Sequence, residues 1–262
     1  GRSAPDAAMQ VAFAQLQQLG GQVIYVQADV ADASAMQDGV ARACVQWGPI
    51  NGVLHLAGSS GAAPLAQARL ADFERVLAPK IAGTLVLEKV LAASIQAQAL
   101  DFVCYFSSCA AQLGDFGSCD YALGNRFQTA YARVRSETGQ QQAGFAGQTL
   151  AINWPLWQEG GRQPGDPEQT RFYLQSSGQR ALSSAEGIDL FERLLALAQP
   201  QCLVLAGAPD RMRSLLDSAM AVAPASVAGG QGAAPGTGAA RPSLAPGAPE
   251  PRSHDALNAP VA

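Results

Sequence analysis

The sequence lacks the segments that membrane and nucleic-acid-binding proteins require. No apolar run among its 262 residues approaches the roughly 20 needed for a membrane-spanning helix. No basic start leads into an apolar stretch, as it does in a signal peptide. Charged residues make up only 15% and the net charge is −4, which argues against a basic surface for nucleic acid. We therefore predict a protein with no membrane and no nucleic-acid partner.

Metal ligands and lysines are also scarce. The five cysteines are odd in number and form no CxxC pair, and with only two histidines the sequence argues against a zinc site. Free thiols of this kind fit a reducing, cytoplasmic compartment. Among 17 basic residues only Lys80 and Lys89 are lysines. Chemistry that needs a lysine therefore has two candidates.

A glycine-rich GxGxxG turn is missing as well, although strand and helix patterns alternate over residues 1–221. The patterns predict strands at 23–28, 53–56, 102–106, 149–154 and 202–205, and helices at 6–19, 32–47, 70–97, 118–135, 184–198 and 209–220. This alternation indicates an α/β fold, a Rossmann-like doubly wound parallel sheet with helices on both faces. Nucleotide-binding folds of this kind open with a strand, a glycine-rich turn and a helix. Either this is not a nucleotide-binding fold, or the first βα unit is missing from the chain.

The C-terminal region has a different composition. Residues 222–262 are rich in alanine, glycine and proline and contain no aromatic residue. A segment of this kind cannot bury enough apolar surface to offset its ordering entropy. We predict a folded domain over 1–221 followed by a disordered linker over 222–262, and a disordered natural C-terminus is the alternative.

Ligands of doubly wound sheets bind at the carboxyl ends of the strands, so the residues that follow each strand are the first candidates. Asp29, followed by Val30, could accept a hydrogen bond from the amine of a bound base, or it could cap a turn. Ala57 and Gly58 allow a flat ligand to approach the backbone, or they form a plain turn. Ser108 could hydrogen-bond a carbonyl oxygen, or it could be an ordinary loop serine.

A tyrosine and an asparagine share one face of the predicted long helix. Tyr121 and Asn125 are four residues apart, and Tyr121 follows Ser108 by 13 residues, which is enough to return the chain to the same crevice. A tyrosine is a poor proton donor unless a nearby cation favours its phenolate. Lys80, at the helix joint after Pro79, is the candidate cation. A solvated surface charge is the alternative for Lys80 and Lys89 alike.

Five motifs together resemble the ketoreductase domain of modular polyketide synthases, within the short-chain dehydrogenase/reductase superfamily. They are HLAG (55–58), APKIAGTLVL (78–87), FSS (106–108), GDFGSCDYALGN (114–125) and INWPLWQEGG (152–161). Ordinary members of the superfamily read Tyr-xxx-Lys. Polyketide and fatty-acid synthase ketoreductases exchange the Lys and Asn positions, as Lys80 and Asn125 do here. The last motif is more similar to synthases that use stand-alone acyltransferases.

The resemblance implies an enzyme that uses NADPH to reduce a β-ketoacyl thioester on an acyl carrier protein, beside the other domains of a synthase. Tyr121 would protonate the forming alkoxide, and Ser108 would hydrogen-bond the substrate carbonyl. Lys80 would hold the nicotinamide ribose and favour the phenolate of Tyr121, while Asn125 would support that network or a bound water. A non-catalytic structural remnant is the alternative, although all four catalytic positions are filled.

The same resemblance implies NADPH rather than NADH, because Arg2 matches the arginine that pairs with the 2′-phosphate. The cofactor-contacting residues would be Arg2, Asp29, Val30, Ala57, Gly58, Lys80, Tyr121, Pro155 and Leu156. Residues 158–183 would form a mobile lid over the substrate. The family's glycine-rich loop and N-terminal structural subdomain are absent, so the sequence resembles a truncated fragment that would fold poorly and bind NADPH weakly.

Two sequence markers of the family bear on stereochemistry. Members that make the D-hydroxyl usually carry an acidic residue just after the Ala-Gly pair, and residues 59–64 contain none. Members that make the L-hydroxyl often carry a tryptophan eight residues before the catalytic tyrosine, where this sequence has Leu113. We weigh the missing acid more heavily and predict the L-hydroxyl product.

Overall fold

The computed structural model describes residues 1–59, 68–94, 100–114, 118–141, 147–159, 167–197 and 199–222. The strands in these segments are β1 (Gly52–His55), β2 (Phe102–Ser108), β3 (Gln148–Trp154) and β4 (Gln201–Leu203). The helices are α1 (Ala7–Gln18), α2 (Ala33–Trp47), α3 (Leu70–Leu77), α4 (Ala82–Ser94), α5 (Ala110–Leu113), α6 (Cys119–Gln141), α7 (Pro167–Ser177), α8 (Ser184–Ala196) and α9 (Pro209–Val222). The linker expected over 222–262 lies outside the described residues, apart from Val222, which ends α9.

The four strands form one parallel sheet in the order β1-β2-β3-β4. Helices connect the strands, as parallel pairing requires. In register, His55 of β1 lies beside Tyr105 of β2, and Ser108 of β2 lies beside Trp154 of β3. The carboxyl ends of β1, β2 and β3 therefore meet at one edge, where the candidate residues were expected.

Both faces of the sheet are covered by helices. Val103 and Tyr105 of β2 pack with Leu87 and Leu91 of α4 and with Ala132 of α6. The alternating side chains of β2 point to the other face, where the cluster contains Cys104, Phe106, Leu150, Ile152, Phe191 and Leu194. Apolar side chains on both faces are typical of a parallel strand buried between helix layers. The α/β doubly wound architecture is thus confirmed.

Helix boundaries follow the local signals in the sequence. The Asp32 side chain accepts from the backbone N–H groups of Ser34 and Ala35 and caps α2. Ser183 and Glu186 form a reciprocal capping box at the start of α8. The helix expected over 70–97 is broken before Pro79 into α3 and α4, because proline lacks the N–H that a continuous helix needs.

The prediction of a strand at 23–28 was wrong, because these residues do not join the sheet. Their backbone bonds to a single residue: Ala28 N–H donates to Gly1 O at 2.8 Å, and the Gly1 amine donates to Val26 O at 3.1 Å. No residue of the neighbouring helix α1 is buried, and its Val11 and Leu16 are exposed. Leu54 on β1 is exposed as well. No described strand lies between this region and β1.

Two helices were not expected from the sequence. The short helix α5 follows β2 directly, and α7 lies within the segment 158–183 that we interpreted as a lid. Residues 160–166 of that segment lie outside the described residues. The mobility of the segment stays a prediction.

The described segments were also searched for membrane-spanning helices and metal sites. In these segments no helix has both the length and the apolar character to cross a membrane. No group of three or more histidine, cysteine and carboxylate side chains there is arranged to hold a metal ion.

Candidate active site

Ser108 ends β2 and begins a tight turn into α5. Its Oγ accepts a hydrogen bond from the Ala110 N–H at 3.2 Å, and the next residue, Cys109, donates its N–H to Trp154 O at 2.8 Å. These bonds hold the turn against the end of β3, next to Pro155. Ser108 is only partly buried, so its hydroxyl remains accessible at the carboxyl edge of the sheet.

Lys80 lies in the joint between α3 and α4, and its side chain is directed into the protein. The residue is 5% exposed, and its Nζ donates to Phe106 O of β2 at 2.7 Å. Its Cβ lies against Gly124 of α6, where a side-chain Cβ would come within 3.1 Å of it. The surface-charge alternative is therefore excluded for Lys80. Lys89 is exposed.

Helix α6 brings Tyr121 and Asn125 to this lysine. Gly124, against which Lys80 packs, precedes Asn125 and lies three residues after Tyr121. Asn125 is fully buried, and its Nδ2 donates to Tyr121 O at 2.8 Å. No described residue hydrogen-bonds to the Asn125 Oδ1, although this atom is buried. Tyr121 is half-buried.

A buried network of polar groups ties α6 to the sheet just below Ser108. The Ser107 hydroxyl lies 3.1 Å from Asn125 O and 2.8 Å from Asn153 Oδ1. The Thr129 hydroxyl lies 3.0 Å from Asn125 O and 2.9 Å from the same Asn153 Oδ1. The Asn153 Nδ2 donates to Cys202 O of β4 at 3.1 Å. The turn of α6 at Asn125 is thereby fixed against β2, β3 and β4.

Burial dominates the electrostatics of the site. Removal of the Lys80 ammonium from water lowers its pKa to about 8. His55, at the end of β1, is buried beside Tyr105, and burial followed by the nearby Lys80 ammonium lowers its pKa to about 4. Neither ring nitrogen of His55 has a hydrogen-bond partner among the described residues. A neutral imidazole therefore faces the cationic Lys80.

We expect His55 to make the protein less stable in acid. Its folded-state pKa lies below the unfolded value, so the unfolded chain binds the extra proton as the pH falls below 6.5. The free energy of unfolding should fall by about 2 kcal/mol between pH 7.5 and pH 5 on account of this residue. Urea denaturation at both pH values should show a smaller fall in His55→Asn than in the wild type. His254→Asn is the control, and an equal fall in all three proteins would contradict the assignment.

Five of the predicted cofactor-binding residues line one cavity of about 550 Å³: Arg2, Asp29, Val30, Ala57 and Gly58. The guanidinium of Arg2 lies 3.9 Å from the Asp29 carboxylate. The other Asp29 oxygen accepts the Ala31 N–H at 2.9 Å, so the turn-forming alternative for Asp29 is also present. A Cβ on Gly58 would lie 3.4 Å from Lys80 Cε, which links the cavity to the lysine.

Pro155 and Leu156, which were also predicted to bind the cofactor, do not line this cavity. Pro155 is buried directly after β3, and Leu156 is half-buried, with its carbonyl oxygen accepting the Leu182 N–H at 2.7 Å. Nearby, the Tyr173 hydroxyl of α7 accepts from Gln179 Nε2 at 2.8 Å and lies 3.5 Å from Cys109 Sγ. Helix α7 therefore packs beside the Ser108 turn.

Sequence reasoning missed several residues of the site. Arg75 of α3 lines the same cavity as Arg2 and supplies a second guanidinium, but no sequence signal distinguishes it from an ordinary helix-surface arginine. Asn153 could have been found, because an amide near the end of a buried apolar strand needs buried partners. Residues 60–64, which bear on the stereochemical prediction, lie outside the described residues.

One family model and two known proteins have sequences similar to that of this chain. Residues 1–159 match the family model of the KR domain. The chain is 46% identical over 216 residues to polyketide synthase PksM of Bacillus subtilis, which covers 82% of this chain and 5% of PksM. It is 44% identical over 223 residues to polyketide synthase ThaG of Burkholderia thailandensis, covering 83% of this chain and 4% of ThaG. The chain thus spans a small fraction of these synthases.

Comparison with solved structures gives the same family. A ketoreductase domain from the bacillaene assembly line, known from a crystal structure, is similar with a TM-score of 0.76 at 31% identity. The match covers 82% of this chain and 50% of that one. With more than half of its residues matching the family model, and with this parallel sheet and residue pattern, the chain belongs to the ketoreductase-domain family of polyketide synthases, which are oxidoreductases of the short-chain dehydrogenase/reductase superfamily.

Proposed function

We propose that this chain carries the catalytic residues of an NADPH-dependent reductase of β-ketoacyl thioesters bound to an acyl carrier protein. The product would be the β-hydroxyacyl thioester, and the partners would be the carrier protein and the other domains of a synthase. One observation carries the proposal. Lys80, which is not part of α6, is buried against Gly124 of that helix, and Gly124 lies between Tyr121 and Asn125 in the sequence. The Lys80 ammonium is hydrogen-bonded to β2, the strand that ends at Ser108.

The four residues have distinct roles in this proposal. The Ser108 hydroxyl donates a hydrogen bond to the substrate carbonyl oxygen and orients it. As negative charge develops on that oxygen, the Tyr121 hydroxyl gives it a proton. The phenolate that remains is favoured by the Lys80 cation. The unpaired Oδ1 of Asn125 accepts a hydrogen bond from a water through which a proton from solvent returns to the Tyr121 phenolate.

The cavity residues fit the adenosine half of a nicotinamide cofactor. Arg2 would bind the 2′-phosphate, Asp29 and Val30 would meet the adenine, and the small residues Ala57 and Gly58 would leave room for the cofactor to pass. Pro155 and Leu156 would lie against the nicotinamide. The chemistry that bound NADPH supplies is hydride donation to the carbonyl carbon.

β1 is an edge strand among the described strands, and this affects how the cofactor's diphosphate would be held. The cavity lies between residues 26–30 and the residues that follow β1, and it is also lined by small or apolar residues of α2, namely Ala35, Gly39, Val40 and Ala43. We propose that a first strand fits beside this cavity, between residues 23–28 and β1, and that its glycine-rich turn and helix N-terminus bind the diphosphate. The exposed Leu54 and the uncovered face of α1 would pack on that unit.

The test is reduction of a carrier-bound β-ketoacyl thioester. We call the extended protein the chain joined at Gly1 to the first strand, glycine-rich turn and helix of a ketoreductase. It should consume one NADPH for each β-hydroxyacyl product, which mass spectrometry detects as a gain of two hydrogens. Binding of NADPH without any conversion would contradict the proposal and favour the structural remnant.

We expect Arg2 to select the cofactor. Because a guanidinium pairs strongly with a phosphate, Arg2→Ala in the extended protein should weaken NADPH binding by about 10- to 100-fold and leave NADH binding nearly unchanged. Titration calorimetry with both nucleotides measures the two dissociation constants. Arg42→Ala, an exposed arginine of α2 outside the cavity, is the control. Equal losses for the two nucleotides would show that Arg2 has another role.

A further inference from the structure

Lys80 needs a support that the lysine of an ordinary Tyr-xxx-Lys protein does not need. Where both residues are on one helix, the helix itself sets their separation. Here Tyr121 belongs to α6, whereas Lys80 lies in the joint between α3 and α4. The separation therefore depends on how closely α3, α4 and the joint between them are held to α6.

Two buried polar side chains join these helices next to Lys80. The Thr84 hydroxyl of α4 donates to Lys80 O at 2.6 Å, and it accepts a hydrogen bond from the Gln128 Nε2 of α6 at 3.1 Å. Thr84 and Gln128 are fully buried. Gln128 follows Tyr121 by seven residues, which is two helical turns, so it lies on the same face of α6.

The Gln128 amide is expected to lower the stability of the protein. Its Oε1 is buried and has no hydrogen-bond partner among the described residues. A buried polar atom without a partner is destabilising, and an apolar side chain of similar size would avoid that penalty. An amide at this position therefore calls for an explanation other than stability.

We propose that Thr84 and Gln128 are positioning residues, and that their bridge from α6 to Lys80 O sets the place of Lys80 beside Tyr121. The inference rests on the proposed function in treating Lys80 as a catalytic residue. A second contact between the same helices serves for comparison. Further along, Glu88 of α4 pairs with Arg135 of α6 at 2.8 Å.

Because the chain has only two lysines, NMR of labelled lysine side chains can report on the surroundings of Lys80. The full chain labelled with ¹³C at lysine Cε should give two methylene signals by NMR, assigned with Lys89→Arg. In the wild type, the Lys80 signal should titrate with a pKa of about 8 because the ammonium is buried. The titratable neighbours His55 and Tyr121 are the same in every variant, and no turnover is needed for this readout.

The decisive variant replaces both partners of the bridge by apolar groups. Thr84→Val with Gln128→Leu leaves no side-chain polar group of the bridge unpaired, so the fold should be kept. We expect the Lys80 signal to shift and its pKa to rise towards the ordinary lysine range as α4 and α6 loosen. Thr84→Ser keeps the hydroxyl and should keep the wild-type signal. If the double variant fails to fold, Gln128→Leu alone breaks the bridge to α6 and should still shift the Lys80 signal.

A matched double variant tests whether any change between these helices would do the same. Glu88→Leu with Arg135→Met also replaces two buried polar partners, and it should leave the Lys80 signal and pKa as in the wild type. A wild-type Lys80 signal in the Thr84/Gln128 variant would overturn the proposal, as would an equal shift in both double variants. Failure of the proposed reduction would appear separately, in the thioester assay.

Discussion

Replacement of Tyr121 by phenylalanine should lower turnover of the extended protein by a factor of about 10²–10⁴, the usual contribution of a positioned proton donor. The ring and its packing are kept, and only the hydroxyl that would protonate the forming alkoxide is removed. Turnover is measured as NADPH consumption with a carrier-bound β-ketoacyl thioester. Binding of NADPH should change much less than turnover, because only the proton donor has been removed.

Tyr131→Phe is the matched control for this experiment. Tyr131 lies on the same helix, where it packs edge-on against Tyr105 in the core. Burial and the neighbouring Glu88 raise the pKa of Tyr131 to about 12, so its hydroxyl stays protonated at the pH of the assay. Loss of this hydroxyl should leave turnover close to the wild-type value. Near-normal turnover of Tyr121→Phe would contradict the role of Tyr121.

The largest loss of stability is expected from Arg135→Met. Arg135 and Glu88 form a buried ion pair at 2.8 Å, and the Arg135 Nη1 also donates to Thr149 Oγ1 of β3 at 2.7 Å. Removal of the arginine leaves a buried carboxylate without its partner, which costs about 3–5 kcal/mol in comparable proteins. Urea denaturation followed by circular dichroism measures the free energy of unfolding.

A second ion pair of α6 provides the comparison. Arg133 lies 3.9 Å from Glu137, and both side chains are mostly exposed. Because water screens exposed pairs, Arg133→Met should change the free energy of unfolding by less than about 1 kcal/mol. Similar effects of the two substitutions would mean that burial of the Arg135 pair does not matter.

The sequence was sufficient for the features that depend on local or repeating patterns. The alternation of apolar segments predicted the parallel sheet, Pro79 predicted the break between α3 and α4, and Asp32 marked the start of α2. The rule that carboxyl ends of parallel strands meet predicted the place of Ser108 at the end of β2, and the four-residue spacing predicted that Tyr121 and Asn125 share one face of α6. Their catalytic roles stay predictions.

Features that depend on a partner elsewhere in the protein could not be read from the sequence. Residues 23–28 have a strong strand pattern, but a strand also needs a neighbour, and the only described partner is the backbone of Gly1. The bridge between Thr84 and Gln128 joins residues 44 positions apart. Hydrogen bonds of this kind leave no periodic signal. The helix α7 was missed because its segment is rich in glycine, glutamine and proline.

The central claim is that the lysine from the joint between α3 and α4 acts with the tyrosine of α6. Its most direct test compares the two lysines of the chain, one buried against α6 and one exposed on α4. In the extended protein, Lys80→Met should lower thioester reduction by at least about tenfold, because one cation beside the tyrosine and ribose is lost. Lys89→Met should leave the rate unchanged. Equal rates for the two variants, in proteins that are equally folded, would contradict the account.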